Sequence, residues 1–284
     1  FLNAVAATDT YSLYNTNMGT DLNSRGISRS GSSGSYTYSV INNGGNSANR
    51  PITWVSWFDS ARFANWMANG QPTGAQSSTT TENGAYNVNG ATSGNAPAKN
   101  ATNPNTSAAP TFYIPTENEW YKAAYYSPNY GGTGVAGYFD YATQSDTAPG
   151  NVIGSGANQA NYNNGVYSVT QSSSFFSNQN YLTDVGAFTN SASFYGTFDQ
   201  SGNVYQWNDL DGSSGSSRGL RGGSRDGAAF YMSSSDRLST SASSANSVIG
   251  FRLAAVPEPA SLGLAATGGL AALGWTMLRR RRRG

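Results

Sequence analysis

Residues Pro51–Met67 read PITWVSWFDSARFANWM, and this stretch sets the course for the chain around it. Ser56 is a good helix N-cap, and Asp59 stands three residues later where a capping box usually carries Glu. Gly70 follows as a stop signal. Between these marks Phe58, Ala61 and Trp66 fall on one broad apolar stripe at helical spacing. A second helix begins in PTENEWYKAAYY, from Pro115 to Tyr126, where Thr116 and Glu119 form a regular capping box. Glu117 there also suits the positive end of the helix dipole, and neither glutamate is expected to be catalytic. Trp120, Ala123 and Ala124 are expected to face the core.

Outward from these helices the texture changes. Residues 71–110 are almost entirely Ser, Thr, Asn, Gly and Ala, and only GAYNVNG (Gly84–Gly90) alternates as a small hairpin would. This segment is expected to be a low-complexity surface insertion. After Tyr126, brief aromatic runs such as GYFDYA (Gly137–Ala142), SFF (Ser174–Phe176) and YGTFD (Tyr195–Asp199) alternate with Gly- and Asn-rich turns. GNVYQWNDL (Gly202–Leu210), RGLRGGS (Arg218–Ser224) and IGFRLAA (Ile249–Ala255) read as the last structured pieces. There is no tandem repeat. The expectation is an α+β domain of short strands with much irregular loop.

Composition limits the chemistry. The 284 residues include no Cys and no His. Thiolate nucleophiles, disulfides, Cys/His metal sites and Ser-His-Asp triads are therefore excluded within this chain. Only 11% of residues are charged, a texture more common in extracellular than in cytosolic proteins. Five of the 16 basic residues are Arg279–Arg283, which leaves 11 against 15 acidic residues, a net of −4 for the body. A nucleic-acid partner is not expected. A chain that opens on Phe1 is expected to be preceded by further sequence.

The C-terminus reads VPEPASLGLAATGGLAALGWTMLRRRRRG, from Val256 to Gly284. Ala260–Leu278 carries no charge and, as a helix, would span about 28 Å, near the thickness of a bilayer core. The reading is one C-terminal transmembrane helix over 260–278, with Arg279, Arg280, Arg281, Arg282 and Arg283 as a cytoplasmic anchor and the rest of the chain outside. A buried helix of a soluble domain is the alternative, and five consecutive arginines suit it poorly. Pro257-Glu258-Pro259, an apolar helix and a terminal Arg cluster, in that order, resemble the PEP-CTERM sorting signal of Gram-negative bacteria. The resemblance implies an exosortase-type protease as partner. It also implies a protein anchored in the inner membrane before processing, then released to the cell surface or extracellular matrix.

The body also carries a resemblance. FLNAV (Phe1–Val5), PITWVSWFDSARFANWM, YIPTENEWYKAA (Tyr113–Ala124), YGTFDQSGNVYQW (Tyr195–Trp207), RGLRGGS and IGFRLA (Ile249–Ala254) resemble, in this order, the formylglycine-generating-enzyme or sulfatase-modifying-factor domain family. The resemblance implies a C-type-lectin-like fold for residues 1–255, with the sorting signal at 256–284. FLNAV would be the end of a family helix. The family oxidises a sulfatase cysteine with a copper-binding cysteine pair lying between the RGGS and GFR stretches. In this sequence that region is Arg225–Ile249, and it has no Cys. Related ergothioneine-type oxygenases use a histidine-built iron site, and there is no His either. Neither copper nor iron is expected, no catalytic residue is assigned, and formylglycine generation is not expected.

The charged groups left in that region are Arg225, Asp226, Asp236 and Arg237. Two carboxylates could perform acid/base work. The plainer reading is that Asp236 and Arg237 form an ion pair, while Arg221 and Arg252 organise loops. A cation site reads better. In DQSGNVYQ, Asp199 offers a carboxylate, the turn Ser201-Gly202-Asn203 can aim carbonyls inward, and Gln206 adds a neutral oxygen, a donor set of the kind Ca²⁺ takes. The resemblance implies the same: structural calcium held through Asp199, Gly202 and Val204, with a family Glu where Gln206 stands. A second family site maps its first ligands to Asn161 and Tyr162. Ordinary Asx turns are the alternative. Asp209-Leu210-Asp211-Gly212 opens like an EF-hand loop, but Leu220 stands at its twelfth position where the loop needs Glu.

These readings favour an exported, surface-sorted, non-catalytic binding or matrix protein with a polysaccharide or surface protein as ligand. The alternatives are an enzyme of unidentified chemistry using the family cleft, and a surface-layer scaffold with no small ligand.

Overall fold

The computed structural model describes residues 1–256. The sorting motif Pro257–Pro259, the apolar segment 260–278 and the arginines 279–283 lie outside the described residues. Among the described residues no helix is long and apolar enough to cross a membrane.

Regular structure is sparse, as Gly- and Asn-rich sequence dictates. The chain opens with two single-turn helices, α1 (Leu2–Val5) and α2 (Asn17–Thr20), and a hairpin of β1 (Ile27–Ser30) and β2 (Thr37–Val40). Next come helix α3 (Trp57–Ala68), the short strand β3 (Phe112–Tyr113) and helix α4 (Glu117–Tyr125). Strands β4 (Tyr126–Ser127) and β5 (Gly137–Tyr138) pair antiparallel, and β6 (Gly154–Ala157) pairs parallel with β7 (Phe188–Asn190). The largest sheet combines β8 (Tyr205–Asn208), β9 (Ser217–Arg221), β10 (Leu238–Ser241) and β11 (Ile249–Gly250) in the order β10-β9-β8-β11. Neighbours are antiparallel there except β11, which runs parallel to β8. A final short strand, β12, covers Ala254–Ala255. The mixed α+β class is the one the sequence implies.

Both capping boxes form. Asp59 N donates to Ser56 Oγ at 3.1 Å, and Ser56 N returns a bond to Asp59 Oδ2 at 2.9 Å. Thr116 and Glu119 do the same for α4. Gly70 takes φ +80°, the left-handed stop the sequence marks. Phe58, Ala61 and Trp66 are buried, as are Trp120 and Ala124, whereas Ala123 is only half-buried.

The main core gathers Trp57, Phe58 and Ala61 of α3 with Trp207 of β8, Leu220 of β9, Ile114 and Ile249. It also contains Ala85, Tyr86, Val88 and Ala96. Residues 71–110 are therefore not wholly a surface insertion, which corrects the expectation from composition: the part around 80–90, with Ala96, enters the core, while most of 91–110 is exposed. The physical reason is that the segment's amides and hydroxyls satisfy local backbone groups, so it folds compactly without strands. Asn65 of α3 reaches into it, donating to Thr81 O (2.7 Å) and Tyr86 O (2.9 Å) and accepting from Tyr86 N (2.8 Å). Arg62 of α3 forms a two-pronged, buried ion pair with Glu82, both contacts at 2.8 Å. GAYNVNG is not a hairpin either: Val88 N and Asn89 N both donate to Glu82 O, and Tyr86 bridges Lys99.

A second core joins Val5, Leu13, Met18, Tyr38, Val55 and Trp66. It borders an apolar cavity of about 450 Å³ in whose lining Asp59 is the only carboxylate.

Candidate functional site

The segment that follows β9 occupies the place where the resemblance puts the family's thiols. It begins with Gly222 and Gly223 at φ +95° and +68°. A Cβ on Gly222 would meet Gln200 O at 2.8 Å, and one on Gly223 would meet Met232 Cγ at 2.7 Å. Only glycine permits this backbone to lie so close to its neighbours. A 3-10 turn over Ala229–Met232 buries Met232 and leaves Phe230 and Tyr231 exposed.

The arginines at the segment hold backbone carbonyls or carboxylates. Arg225 is buried, donates from Nη1 to Ser247 O, and lies 3.5 Å from Asp226. Arg221 donates from Nη1 to Ser234 O (2.9 Å) and to Asp236 O, and from Nε and Nη2 to Glu117 Oε1 at 3.0 and 2.5 Å. Arg237 lies 3.1 Å from the same Glu117 oxygen. Asp236 and Arg237 therefore do not pair with each other, which corrects the expectation. Being adjacent in sequence, they point apart, and Arg237 finds Glu117 while the Asp236 main chain serves Arg221. Glu117 does more than complement a helix dipole, because it is the buried anion that two arginines share. Its partners are distant in sequence, Arg221 by 104 positions, and no local pattern announces them. Arg221 and Arg252 both organise loops, as expected. Burial raises the Asp236 carboxyl above the usual range, with Arg221 opposing, and its Oδ2 has no partner among the described residues. The hydroxyls of Ser233 and Ser235 bond one another at 2.9 Å. Neither hydroxyl is hydrogen-bonded to a carboxylate among the described residues.

The expected metal ligands do come together. Asn161 and Gly202 form a parallel bridge, and Asn203 N donates to Asn161 O at 2.8 Å. Several of their oxygens, however, already have donors. Gln206 Oε1 accepts from Trp120 Nε1 (2.8 Å) and Arg252 Nε (2.6 Å), while Gln206 Nε2 donates to Asp199 O at 2.6 Å. Asp199 Oδ2 accepts from Gly186 N at 2.7 Å, and Gly202 O from Val204 N at 2.9 Å. Tyr162 O accepts from Asn151 Nδ2 at 3.3 Å and Ser168 Oγ at 3.2 Å. Burial raises the Asp199 carboxyl, while Gly186 N and Arg252 oppose that rise. Burial lowers Arg252 to about 10, still a cation at neutral pH. Calcium asks for six to eight oxygens. This set offers an amide whose nitrogen faces a carbonyl, and a guanidinium where positive charge is least welcome to a cation. With Gln206 in place of the family's Glu and Arg252 bonded to it, this donor set suits the ion poorly. No group of three or more Asp or Glu side chains placed to hold a metal occurs among the described residues.

Comparison with known proteins adds the family. No curated protein matches the chain. The solved structures that match it include these three. "Crystal Structure of CarF" is 20% identical and covers 77% of this chain and 72% of its own, at a TM-score of 0.45. Treponema denticola variable protein 1 is 22% identical, covering 75% and 73% respectively, at 0.42. PvdO from Pseudomonas aeruginosa is 17% identical, covering 72% and 61%, at 0.39. Residues 255–283 match the PEP-CTERM protein-sorting motif, which signals export and surface sorting in Gram-negative bacteria and processing by exosortase-type machinery. Residues 9–256 match the sulfatase-modifying factor enzyme 1-like domain, so the chain belongs to that family and lacks the cysteines of its oxidative chemistry.

Proposed function

We propose that this chain is an exported, surface-sorted, non-catalytic member of the family that acts by binding, with a polysaccharide or a surface protein as ligand. One observation carries the reading. The segment 225–249, where the family's thiols belong, has no Cys, and its arginines are committed to Ser247, Asp226 and Glu117. A soft copper ion finds no thiolate there, and hydroxyl oxygens do not replace one. The test is incubation of the purified protein with a cysteine-containing sulfatase peptide, copper and oxygen, followed by mass spectrometry. The peptide is expected to return unchanged, and a formylglycine product overturns the reading.

The second part concerns the tail. The proposed course is insertion in the inner membrane, removal of the C-terminal segment beyond the Pro257-Glu258-Pro259 region, and passage to the cell surface or matrix. Intact mass of the mature protein decides it. A C-terminus near Pro259 supports processing, whereas retained Arg279–Arg283 means a permanent anchor.

An enzyme of other chemistry in the same cleft is the second reading. It is favoured by Asp236, whose buried Oδ2 stands without a partner among the described residues. A hydrolytic activity lost in a folded Asp236→Asn variant would favour it over binding.

A further inference from the structure

We propose that the aromatic terrace formed by exposed Tyr138, Tyr195 and Phe194 around half-buried Tyr126 is a binding site for the flat faces of a neutral polysaccharide. This rests on the non-catalytic binding reading above and names the site and the ligand class.

Three separate parts of the chain build the terrace. The β4–β5 ladder sets Tyr126 opposite Tyr138, with ring centroids 5.3 Å apart. Tyr121 of α4 supports Tyr138 from below at 5.1 Å. A tight turn over residues 193–197, closed by Ser193 N donating to Thr197 O at 2.8 Å, brings Tyr195 alongside Tyr126. Those two rings lie 6.4 Å apart and within 16° of parallel, and Phe194 meets the edge of Tyr195 at 5.5 Å. Gly137 has no side chain, and the Tyr130 ring lies over it and packs on Phe139, extending the surface.

The rings are bare. Tyr138 is 45%, Tyr195 49%, and Phe194 and Tyr130 each 40% exposed. A contiguous cluster of this kind on an exported protein marks a contact surface. Tyrosine supplies a rigid, amphipathic contact with few rotatable bonds to immobilise. The rim selects the occupant. Asp140 and Asp146 are both exposed, and Asp146 already accepts from Tyr130 Oη at 2.9 Å. Carboxylates are acceptors for sugar hydroxyls and repel sulfate or uronate groups. The cation seen at the terrace, Lys122, is held 5.4 Å over the Tyr126 ring. Apolar ring faces bordered by acceptors match the C–H face of a β-linked pyranose with hydroxyls at its edge. They suit an anionic polymer poorly.

The test uses the whole protein and calorimetric titration with hexasaccharides of β-1,4-linked glucose and of β-1,4-linked N-acetylglucosamine, with dextran sulfate as the anionic comparison. Binding of a neutral hexasaccharide is expected, weakened about tenfold or more in Tyr195→Ala and in Tyr138→Ala. Tyr195→Phe, which keeps the stacking face, is expected to stay within about threefold of the unmodified protein. Phe230→Ala, an exposed ring of another segment, is expected to change nothing. Since the mutated rings are exposed, unchanged thermal unfolding separates loss of contact from loss of fold. Equal affinity in the unmodified protein and Tyr195→Ala overturns the terrace and leaves the binding reading standing. Preference for dextran sulfate, or capture of a protein but no neutral glycan through the same rings, overturns the ligand class. Cleavage of a hexasaccharide overturns the non-catalytic reading itself.

Discussion

Arg252 donates from Nε to Gln206 Oε1 at 2.6 Å, and its Nη2 donates to Phe198 O at 2.7 Å. These bonds put a fixed cation among the oxygens that the family resemblance assigns to calcium. The arginine ties Phe198 to β8 as a bound ion would, and the Gln206 amide closes the loop through Asp199 O. Folding stability is therefore expected to be indifferent to calcium. The thermal midpoint should agree in millimolar calcium and in a chelator, whereas a specific ion at a hundredfold its Kd would add about 2.7 kcal/mol. Arg252→Met should cost about 2–3 kcal/mol, since it strips a charged donor from the buried Gln206 and the half-buried Phe198 carbonyl, and added calcium should not restore the loss. A midpoint that climbs with calcium would sink this account.

The Arg62–Glu82 pair makes a different prediction. Both side chains are buried, and Glu82 also accepts from Gly90 N and Thr81 Oγ1, each at 2.8 Å. Glu82 is thus one tie that fastens residues 71–110 to α3, beside the amides of Asn65 and Asn69. Glu82→Ala leaves a buried guanidinium unpaired, for which the expected loss is about 3–5 kcal/mol. Limited proteolysis should then cut first within 71–110. Cleavage elsewhere, with that segment still protected, would show that the pair does not hold it.

The same segment shows where sequence reading reaches its limit. The two helices were legible because capping boxes and an apolar stripe are local signals, and Ser56/Asp59 and Thr116/Glu119 need only their own neighbours. Glu82 and Tyr86 were illegible because their partners, Arg62, Asp209 and Ile114, lie 20, 123 and 28 positions away. An Asn-rich run looks like solvent-exposed loop until the amides are seen bonding backbone. At the candidate site, the missing thiols could be read directly from composition. The hydrogen-bond saturation of Gln206 could not, because it depends on Trp120 and Arg252 arriving from 86 and 46 positions away.

Asp59 makes stability depend on pH. It borders the apolar cavity of the second core, and burial lifts its carboxyl to about 6 while the Ser56 hydrogen bonds and Arg62 oppose the rise. Its folded value thus lies above its unfolded one, so the folded state binds a proton that the unfolded chain releases. Its effect on stability declines as pH rises from about 4 to about 6 and is level above that. Asp59→Asn can still accept from Ser56 N through its amide oxygen but cannot titrate. Urea unfolding of both proteins at about pH 4.5 and pH 7 should show a smaller decline in the variant. Parallel pH profiles would mean that Asp59 titrates alike in both states.

Glu117 offers the sharpest test of whether the charges of segment 225–249 are structural. Its Oε1 is shared by Arg221 and Arg237, and Arg221 in turn holds the carbonyls of Ser234 and Asp236. Glu117→Gln keeps the shape and one acceptor oxygen but removes the charge that both guanidiniums face. The expected loss is about 3 kcal/mol, near the lower figure for breaking a buried pair, because Arg237 is exposed enough to turn to water. Amide exchange should quicken across 233–237, the stretch that Arg221 ties down, while α4 keeps its protection because the Thr116/Glu119 capping box is untouched. If exchange there is unchanged, Arg221 holds those carbonyls without help from Glu117, and the carboxylate is not what orders the stretch.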